Sequence, residues 1–499
     1  MHKVLPVTQR QPLLNVAHSR QLEAQAAAAL PAHTLMARAG LAVAKLAHAL
    51  AAPEACIWIV CGPGNNGGDG LIAARWLHQA GRRLRVQCLA DLSRLPADAA
   101  WAAAAAHAAG VTLERSLELD CAAGDLLIDA LLGMGLSRPA EGLLAAAITA
   151  VNRSAATVLA VDLPSGLQAD TGQALGEALR ADHSLSLLSL KPGLFTAQGR
   201  ALCGTLWHDD LGVVSPIEAD AWLSGAQTLQ AWQTRHRRTA DSHKGSFGDV
   251  LVVGGAPGMA GALQLAAGAA LSAGAGRVYA CGLDDGANVG VIRCGRAELM
   301  HCPPERLAQP ESQSQATVVA GCGGGAAITP LLPNLLRHAA RLVLDADGLN
   351  AVAASTDLQA LLRQRASAGQ SSILTPHPLE AARLLGISTS EVQADRLHSA
   401  QLLAEGFAAT VILKGSGSVI ASPSTTPSIN SSGSAALATP GSGDVLAGWL
   451  GGMWAQAEEQ PTQELAAAAC YWHGLAADGW AGPLRASDLI EQMAAHHGR

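Results

Sequence analysis

Two glycine-rich stretches of the chain carry aspartates at spacings that suit ligand binding. The first, CGPGNNGGDG at residues 61–70, has five glycines, two asparagines and a single charged side chain, Asp69. The second, TPGSGDVLAGWLGG at residues 439–452, places Asp444 directly after Gly443. Because glycine lets another group approach the backbone closely, both stretches predict that a ligand contacts the main chain.

The first stretch has the glycine spacing of a dinucleotide-binding turn. Gly62, Gly64 and Gly67 follow an apolar run that predicts a strand, and they precede a predicted helix at 71–80. In that context the pyrophosphate of a dinucleotide binds at the helix N-terminus. The glycine spacing alone also fits a tight structural turn. Such a turn does not need the polar side chains of Asn65 and Asn66, so these favour ligand binding.

Two further predicted strands end in aspartates, Asp129 before ALLGMGLSRP and Asp162 before LPSG. In an open α/β sheet, the C-terminal ends of the strands line the ligand crevice. Asn66, Asp129 and Ser165 would there bring oxygen atoms together, which is the donor set that a hard cation prefers. Each aspartate alone could instead cap the segment that follows it. Three such positions favour a crevice that holds a cation.

The second glycine-rich stretch predicts a helix whose first amides point at an anion, with Asp444 at its start. The aspartate could take a proton from a hydroxyl while the amides stabilise a phosphoryl group in transfer. The alternative is an aspartate that only caps the helix. Lys414, in VILKGSGSVI, is a candidate contact for nucleotide phosphates. His377, in TPHP, is fixed by prolines on both sides and predicts a ligand contact rather than packing.

The elements that must position these residues form two α/β series. Continuously apolar strands that alternate with alanine-rich helices predict parallel sheets covered on both faces. The stretch 216–238 is polar and weakly periodic, so we predict a linker there between domains at 1–215 and 239–499. The predicted strands lie at 56–61, 84–89, 125–131, 157–162 and 185–190 in the first series, and at 250–254, 277–282, 317–321, 341–345, 372–375 and 411–414 in the second.

Composition excludes several classes of function. The chain has 499 residues, a formal net charge of −7 and no long basic run, which argues against nucleic-acid or membrane-surface binding. Its ten cysteines are scattered without zinc spacing, as in a protein of the reducing cytoplasm. The N-terminus lacks the apolar core of a signal peptide. We therefore expect a soluble, cytoplasmic protein that acts on small molecules.

Residues 15–215 resemble the NAD(P)H-hydrate epimerase domain through LMARAG, CGPGNNGGDGLIAARWL, IDALLGMGLSRP and AVDLPSGLQADTG. The resemblance implies a Rossmann-like three-layer αβα fold and a potassium ion held by Asn66, Asp129 and Ser165. Asp162 would move the proton at C6 of the hydrate, with Lys191 as its partner, unless Lys191 is a solvated surface lysine. The residues implied to bind the hydrated dinucleotide are Asn65, Asn66, Gly67, Gly68, Asp69, Gly133, Met134, Gly135, Leu136, Ser137, Arg138, Pro139 and Asp162.

The second half, from about residue 243, resembles the ADP-dependent NAD(P)H-hydrate dehydratase domain, which has a ribokinase-like α/β fold. GSGD, TPHP, LDADGLN and GMAGA carry the resemblance. It implies that Asp444 is the base for phosphoryl transfer to the C6 hydroxyl and that Mg²⁺ accompanies ADP. The implied contacts to the hydrate are Ala262, Gly323, His377 and Asp444, and those to the nucleotide are Lys414, Gly415, Ser416, Gly417, Ser418 and Gly443.

Three positions depart from the pattern of the dehydratase family. GCGGG at 321–325 keeps the glycines of the usual Gly-Pro-Gly-Leu-Gly but loses its proline. Ser434 stands where asparagine is common, and Leu379 where glycine is usual. None of these changes removes a charged group, so we expect them to affect affinity more than activity.

The sequence thus predicts a fused repair enzyme that epimerises the R and S forms of hydrated NADH and NADPH and dehydrates the S form with ADP. One alternative is a small-molecule kinase with an accessory domain, whose phosphorylated product would accumulate. Another is a first domain that only docks a partner. The preference between NADH and NADPH hydrate, and between ADP and ATP, stays open. Alanine-rich helix faces allow extensive packing, and we expect a homo-oligomer.

Overall fold

The computed structural model describes residues 1–283, 296–457 and 459–496. The chain divides into two compact units, one formed by Met1–Leu5 and Gln11–Ala221 and the other by Pro6–Arg10 and Trp222–Arg499. Strands alternate with helices in both units, so the predicted α/β class is confirmed. The C-terminal limit of the predicted second domain, at 499, lies outside the described residues.

The first unit is built on a mostly parallel sheet. Its helices are α1 (Val16–Ala29), α2 (Thr34–Leu50), α3 (Asn65–Gln79), α4 (Ala97–Ala108), α5 (Gly142–Arg153) and α6 (Gly199–Leu202). The strands of this unit are β1 (His2–Lys3), β2 (Gln11–Leu13), β3 (Cys56–Cys61), β4 (Arg83–Cys88), β5 (Leu113–Glu114), β6 (Leu126–Ala130), β7 (Thr157–Val161), β8 (His183–Leu187) and β9 (Thr205–Asp209), and all of them except β2 belong to this sheet.

The strand order in this sheet is β1-β9-β8-β7-β6-β3-β4-β5. All neighbours from β9 to β5 are parallel, and only β1 is antiparallel to its neighbour. The central strands are apolar and buried along their length, because helices cover both faces of the sheet. The carboxyl ends of β3, β6 and β7 therefore meet at one edge, where the predicted site residues follow each strand.

Helix α3 begins at Asn65, so the predicted start of this helix at residue 71 is wrong. The structure places Asn65 in the first turn, so the NNGGD segment is helical rather than a loop before the helix. The reason is close packing. A Cβ atom at Gly67 would lie 2.1 Å from the carbonyl oxygen of Gly62, and one at Gly70 would lie 2.5 Å from the Cβ of Ala130. The glycines thus let a helix run against the sheet where side chains would not fit.

The second unit has a longer mixed sheet. Its helices are α7 (Ala226–Arg235), α8 (Ala260–Ser272), α9 (Pro310–Ser314), α10 (Leu332–His338), α11 (Ala346–Ala353), α12 (Thr356–Ser367), α13 (Pro378–Leu385), α14 (Thr389–Ala394), α15 (Arg396–Phe407), α16 (Ser442–Gln456), α17 (Thr462–Ala477) and α18 (Ala486–Ala495). Its strands are β10 (Ala221–Leu223), which begins at the unit boundary, β11 (Asp249–Gly254), β12 (Arg277–Gly282), β13 (Met300–His301), β14 (Ala316–Ala320), β15 (Arg341–Leu344), β16 (Ser371–Leu374), β17 (Thr410–Leu413), β18 (Val419–Ala421) and β19 (Ser428–Ile429).

Strands β13-β12-β11-β14-β15-β16-β17 are neighbours in this order and run parallel, and β18 and β19 continue the sheet antiparallel. Helices α8 and α16 pack on one another and on the central strands. The first residues of α16 therefore lie near the carboxyl ends of β14 and β15. This is the edge at which the second candidate site is built.

The stretch 216–238, predicted as a linker, contains regular structure. It holds β10 and helix α7, and Trp232 of α7 is buried in the core of the second unit. The Trp232 ring meets that of Trp472 edge-on at 5.6 Å, and Trp472 meets Trp449 at 4.9 Å. Helix α7 has only Leu229 and Trp232 buried. A helix with such a narrow apolar stripe shows only weak hydrophobic periodicity in its sequence, and this weak periodicity was the basis for predicting a linker.

Candidate functional site

The first unit contains a cavity of about 840 Å³ at the carboxyl edge of its sheet. It is large enough for a nucleotide-sized ligand. The predicted segment from Gly133 to Pro139 belongs to the loop after β6, and all of its residues line this cavity, together with the asparagines of α3. Other predicted residues that line it are Asn65, Asn66, Asp69, Asp162 and Lys191.

Gly67 and Gly68, also predicted to bind substrate, are not among the residues that line the cavity. Gly67 packs against the backbone of Gly62. A Cβ atom at Gly68 would lie 2.7 Å from the terminal methyl carbon of Met36. Both glycines therefore hold the first turn of α3 in place behind the cavity wall.

Asp162 and Lys191 form a buried ion pair in the cavity wall. The Lys191 ammonium donates to Oδ1 of Asp162 at 2.5 Å and to the carbonyl of Leu187 at 2.8 Å. Asp162 is 8 % exposed and Lys191 is 1 % exposed. The alternative of a solvated surface lysine is thus wrong, because the loop after β8 folds the lysine inward onto the carboxylate.

The backbone of Asp162 has φ = 66°, in the left-handed region that few residues other than glycine adopt. This conformation turns the carboxylate back toward β8, where Oδ1 also accepts from the amide of Leu187 at 3.2 Å. Local strain of this kind persists only where the surroundings hold it, and it concentrates at functional sites. Asp162 is therefore fixed in position before any ligand arrives.

Asp129 and Ser165 meet beneath the cavity. Oδ1 of Asp129 accepts from the Ser165 hydroxyl at 2.7 Å, and Oδ2 accepts from the Ser165 amide at 2.9 Å. Asp129 has no exposed surface, and burial raises its pKa to about 6. Asn66 is buried beside Gly133, and its Nδ2 has no hydrogen-bond partner among the described residues. A cation near these oxygens would offset the cost of the buried carboxylate.

Glu23 is a cavity residue that the sequence reasoning missed. It lies on α1, lines the cavity and is partly buried. Burial, and then the charge of Asp162, raise the pKa of Glu23. Burial and the same aspartate also raise the pKa of Asp69 well above its usual range. No sequence motif marks Glu23. The one signal that could have predicted it is its position on the face of α1 that turns toward the sheet.

In the second unit, Asp444 lies in the first turn of α16. Gly441 precedes this helix with φ = 88°, a left-handed conformation that suits glycine. The Nε2–H of buried His473 donates to the carbonyl of Ser442 at 3.0 Å and holds the turn from behind. The first amides of an α-helix have no helical acceptors, so this turn offers an anion both backbone donors and the helix dipole.

Asp444 stands beside Cys322 and Asp345. One ligand-type atom of each of the three side chains lies within 4.8 Å of the other two. Burial, reinforced by the charge of Asp345, raises the pKa of Asp444 to about 7, although a hydrogen bond from the Cys322 thiol opposes the rise. A carboxylate with such a pKa is suited to accept a proton near neutral pH.

Lys414 follows β17 and pairs with Asp345, which follows β15. The ammonium donates to Oδ1 of Asp345 at 2.7 Å. Burial alone would lower the pKa of Lys414, but Asp345 and Glu380 outweigh it and the net direction is upward. A Cβ atom at Gly443 would lie 3.2 Å from Nζ of Lys414. The predicted nucleotide residues Lys414 and Gly443 are therefore neighbours at the start of α16.

His377 caps helix α13 with both ring nitrogens engaged. Nδ1 accepts from the amides of Leu379 and Glu380 at 3.1 and 3.2 Å, and Nε2 lies 3.2 Å from Oε1 of Glu380. The neutral ring thus carries its proton on Nε2. Glu380 is 3 % exposed, and burial raises its pKa to about 7. The amide of Lys414 donates to the carbonyl of Pro376 at 2.9 Å, which brings the His377 turn next to the lysine.

Two more groups of predicted residues, one pair and one four-residue segment, lie at the same sheet edge. A Cβ atom at Gly323, where φ is 57°, would lie 2.8 Å from the Cβ of Ala262. The segment from Gly415 to Ser418 turns over buried Arg396, and a Cβ at Gly415 would lie 2.8 Å from a guanidinium nitrogen of that arginine. The Ser418 hydroxyl closes the turn by donating to the carbonyl of Gly415 at 3.3 Å. Ser416 and Gly417 lie between these two ends.

The sequence reasoning missed four residues of this region. Asp345 is the last residue of the predicted strand 341–345, so the strand-end argument applied to Asp129 would have found it. Glu380 completes the His377 cap three residues on, which is a capping-box spacing. Cys322 stands at the position where the dehydratase family usually has proline. Arg396 donates to the carbonyls of Leu413 and Lys414 from a distant helix, and no local signal marks it.

The geometry defines two α/β units with different chemistry. The first offers a cavity with a carboxylate–ammonium pair, suited to moving protons on a bound dinucleotide. The second offers a helix N-terminus, a lysine and a carboxylate of near-neutral pKa, suited to phosphoryl transfer. None of the helices formed by the described residues combines the length and apolar character that a membrane crossing requires.

Comparison with known proteins agrees with this division. Residues 32–193 match the family model described as YjeF-related protein N-terminus, and residues 250–494 match the model described as NAD(P)H-hydrate dehydratase. The chain is 36% identical over 462 residues to the bifunctional NAD(P)H-hydrate repair enzyme Nnr of Escherichia coli K12, covering 90% of this chain and 85% of that protein. It is 36% identical over 474 residues to the enzyme of the same name from Coxiella burnetii, covering 92% and 94%.

The chain therefore belongs to the family of bifunctional NAD(P)H-hydrate repair enzymes, as the sequence resemblance predicted. Solved structures resemble parts of it. An ADP/ATP-dependent NAD(P)H-hydrate dehydratase from Bacillus subtilis, co-crystallised with ATP and Mg²⁺, has a TM-score of 0.44 and 25% identity and covers 52% of this chain and 92% of its own. A ribokinase-like superfamily protein from Enterococcus faecalis has a TM-score of 0.44 and 24% identity, covering 52% and 90%.

Proposed function

We propose that this protein repairs hydrated NADH and NADPH by two successive reactions. Residues 1–215 interconvert the R and S epimers of the hydrate, and residues 239–499 dehydrate the S epimer at the expense of ADP to give NAD(P)H, AMP and phosphate. The observation that carries the proposal is that each unit holds a complete acid–base set at the edge where its ligand loop lies. These sets are Asp162 in contact with Lys191 in the first unit, and in the second Asp444 at the start of α16 beside the Lys414–Asp345 pair.

In the epimerase unit, the reacting carbon C6 carries both a hydroxyl and the ring nitrogen. Its configuration changes when the C6–N1 bond opens to an aldehyde and closes again on the other face. Opening removes the hydroxyl proton and leaves the electron pair of the C6–N1 bond on N1, which takes up a proton. Closing reverses both proton transfers. We assign the transfer of the hydroxyl proton to Asp162, with the Lys191 ammonium, in contact with Oδ1, holding the carboxylate in place. The Asn65–Asp69 turn and the loop from Gly133 to Pro139 bind the dinucleotide.

A potassium ion is assigned to Asn66, Asp129 and Ser165. The fit rests on oxygen donors and on the fully buried Asp129, whose carboxylate has no cationic partner among the described residues in its hydrogen-bonding shell. A bound K⁺ would supply the compensating charge and order the dinucleotide loop. Ser165 positions Asp129 through two hydrogen bonds, and Asn66 joins the cation site to the first turn of α3.

In the dehydratase unit, Asp444 takes the proton of the C6 hydroxyl as that oxygen attacks the β-phosphate of ADP. The bond to the bridging oxygen breaks and AMP leaves, while the amides of the first turn of α16 stabilise the phosphoryl oxygens. Phosphate is a better leaving group than hydroxide. It departs with the electrons of the C6–O bond while C5 loses a proton, and the C5–C6 double bond of the nicotinamide ring returns.

The nucleotide is assigned to Lys414, Gly415, Ser416, Gly417, Ser418 and Gly443, and the hydrate to Ala262, Gly323, His377 and Asp444. Support comes from the adjacency of Lys414 to Gly443 and of Gly323 to Ala262. A Mg²⁺ ion, a hard cation that prefers oxygen ligands, would be held by the phosphate oxygens of ADP and would offset their charge. The Lys414 ammonium, held by Asp345, supplies a further fixed positive charge.

The test is the near-ultraviolet absorbance of reduced nicotinamide after the protein is added to both NADH-hydrate epimers with ADP and Mg²⁺. Recovery of NADH from the whole mixture is the expected result. Recovery of only the S fraction, with the R epimer converting no faster than it does without protein, would leave a dehydratase with a silent first unit. No recovery with ADP or ATP would contradict the proposal and favour a kinase, whose phosphorylated product is sought by mass spectrometry.

We also propose a cytoplasmic homo-oligomer as the working form. The described cysteines are free thiols, which is consistent with a reducing compartment. Large side chains that remain exposed on the first unit, such as Trp76 at 40% and Leu143 at 48%, offer surface for contact between copies. Light scattering after size-exclusion chromatography measures the mass in solution, and a monomer at micromolar concentration would contradict this part.

A further inference from the structure

His33 is a residue of the epimerase cavity to which the reactions above give no role. It immediately precedes helix α2, has φ = 62° in the left-handed region, and lines the cavity together with Asp98 of α4. Histidine is among the few residues other than glycine that enter this region with some frequency. The conformation turns the imidazole away from the helix axis and sets it at the end of the cavity formed by α1, α2 and α4.

The His33 ring is fixed in its plane by two contacts. It stacks on Trp101 with ring centroids 4.6 Å apart and an interplanar angle of 5°. Nδ1 lies 2.6 Å from Oδ1 of Asp98. A histidine on a loop with both contacts cannot rotate freely about its side-chain bonds. The arrangement is a preorganised flat surface rather than a mobile acid–base group.

One face of the His33 ring remains available to a ligand. Trp101 covers the other face, and His33 lines the cavity whereas Trp101 does not. The side chain of His33 is 32% exposed and that of Asp98 is 47% exposed. A flat aromatic face beside an accessible carboxylate suits a planar heterocycle that carries an amino group, because the ring stacks while the amino group donates to the carboxylate.

The charges near this surface indicate which part of a dinucleotide reaches it. Glu23, Asp69 and Asp98 interact electrostatically with one another, and Arg20, which also lines the cavity, offsets part of this charge at Glu23. This end of the cavity therefore suits an uncharged ring better than a phosphate group. The hydrated nicotinamide is assigned to the Asp162–Lys191 pair. The remaining planar group of the substrate is adenine, which is uncharged and carries an exocyclic amine.

We propose that His33, supported by Trp101 and Asp98, forms the subsite that binds the adenine ring of the hydrated dinucleotide in the epimerase unit. This inference rests on the proposed epimerase function, because it takes the hydrated ring to lie at Asp162. The subsite contributes to binding of the intact dinucleotide and does not touch the reacting carbon. A substrate without adenosine therefore does not use it.

The test compares NADH hydrate with the hydrate of reduced nicotinamide mononucleotide, which lacks the adenosine. His33→Asn removes the ring, while asparagine tolerates the same backbone conformation and can still contact Asp98. We expect this variant to raise KM for NADH-hydrate epimerisation about tenfold with kcat unchanged, as for the loss of one base–aromatic stack. The same variant leaves KM for the mononucleotide hydrate as it is. His33→Phe restores a flat ring without the Asp98 contact and with strain at φ = 62°, so it recovers part of the affinity.

Equal effects of His33→Asn on both substrates, or no effect on either, would overturn the subsite. Thermal unfolding of each variant shows whether the fold is kept. If the wild-type protein epimerises neither substrate, the proposed function fails, and the subsite is then tested by calorimetric binding of ADP-ribose. Weaker binding to His33→Asn than to wild type would support the adenine subsite even then, and equal binding would reject it.

Discussion

The two candidate sites place an aspartate in opposite electrostatic surroundings. In the first unit, Asp162 contacts the ammonium of Lys191, and both groups are buried. In the second unit, Asp444 has an acidic neighbour, Asp345, which takes the nearby lysine, Lys414, for itself. Burial and that neighbour raise the pKa of Asp444 to about 7. One carboxylate is thus in direct contact with a lysine, and the other has an acidic neighbour and a pKa near neutral.

The difference follows from the two reactions. Epimerisation returns the proton it removes, so a carboxylate–ammonium pair can end each turnover as it began. Phosphoryl transfer removes the hydroxyl proton, so it needs a base that is ionised near neutral pH and still has enough affinity for the proton to take it. A carboxylate with a pKa of about 7 meets both needs. The helix N-terminus at Gly443 and the Lys414 ammonium are then available to the phosphates.

The largest effect is expected from Asp444→Asn. Asparagine keeps the size of the side chain but cannot accept the hydroxyl proton. The rate of ADP-dependent NADH recovery from the S epimer falls on the order of 10³-fold, within the range for loss of a general base. Epimerisation of the hydrate, followed by chromatography of the R and S forms, continues at the wild-type rate.

Thermal unfolding is the control for this variant. Because the pKa of Asp444 is raised from 3.8 to about 7 in the folded protein, the native state binds the proton more tightly than the unfolded chain. Stability therefore falls as pH rises through that window. Removing the carboxylate should leave the unfolding temperature at pH about 8 equal or higher. Dehydratase activity retained in a folded Asp444→Asn protein would refute the assignment of the base.

The second-largest effect is expected from Lys191→Met. The methionine fills much of the same volume but leaves the buried Asp162 carboxylate without its cation. We expect the epimerisation rate to fall about a hundredfold, because the carboxylate is then protonated or displaced. Dehydratase activity on the pure S epimer stays at the wild-type level. The matched control is Lys45→Met, which changes an exposed lysine of α2 in the same unit; a similar loss in that control would show a general effect of charge.

Much of the fold followed from apolar runs and alanine-rich stretches. Buried strands such as β3 and β7 are continuous in the sequence, and covered parallel strands must be apolar along their length. The start of α3 could not be predicted in this way, because glycine and asparagine disfavour helix in isolation. There the close approach of Gly67 and Gly70 to the sheet outweighs local propensity. Helix α7 was missed because its burial depends on Trp472 and its neighbours in the fold.

The candidate sites were predictable where residues follow strands and not where partners come from elsewhere. Asp129 and Asp162 stand at strand ends, and Asp444 follows two glycines at a helix start, so local pattern sufficed. Glu23 on α1 and Arg396 beneath the Lys414 turn reach their sites across the fold. No sequence spacing relates them to the motifs. The burial of Asp444 and its closeness to Asp345, which together raise its pKa, likewise appear only in three dimensions.

A smaller effect is expected in the pH dependence of dehydratase kcat, which tests the contrast between the two units. The Asp444 carboxyl must be deprotonated to accept the hydroxyl proton, and its pKa is about 7. Dehydratase kcat should therefore rise about tenfold between pH 6 and pH 8 and level off above that. The measurement uses saturating ADP, Mg²⁺ and pure S epimer. A flat profile across this range would mean that Asp444 is ionised throughout and would contradict the raised pKa.

The smallest expected effect belongs to Cys322, where the chain departs from the family pattern. The thiol donates a hydrogen bond to the Asp444 carboxylate and so holds the pKa of that group below the value that burial alone would give. Cys322→Ala removes this donor. The midpoint of the dehydratase pH profile should then move upward by less than about one unit, with kcat at high pH nearly unchanged, because a single hydrogen bond contributes modestly. Cys322→Ser restores a donor and returns the midpoint toward wild type. A loss of kcat at all pH values without a shift of the midpoint would instead mean that the thiol supports the shape of the Gly323 turn, and the pKa of Asp444 would then be set by its burial and by the charges of Asp345 and Lys414.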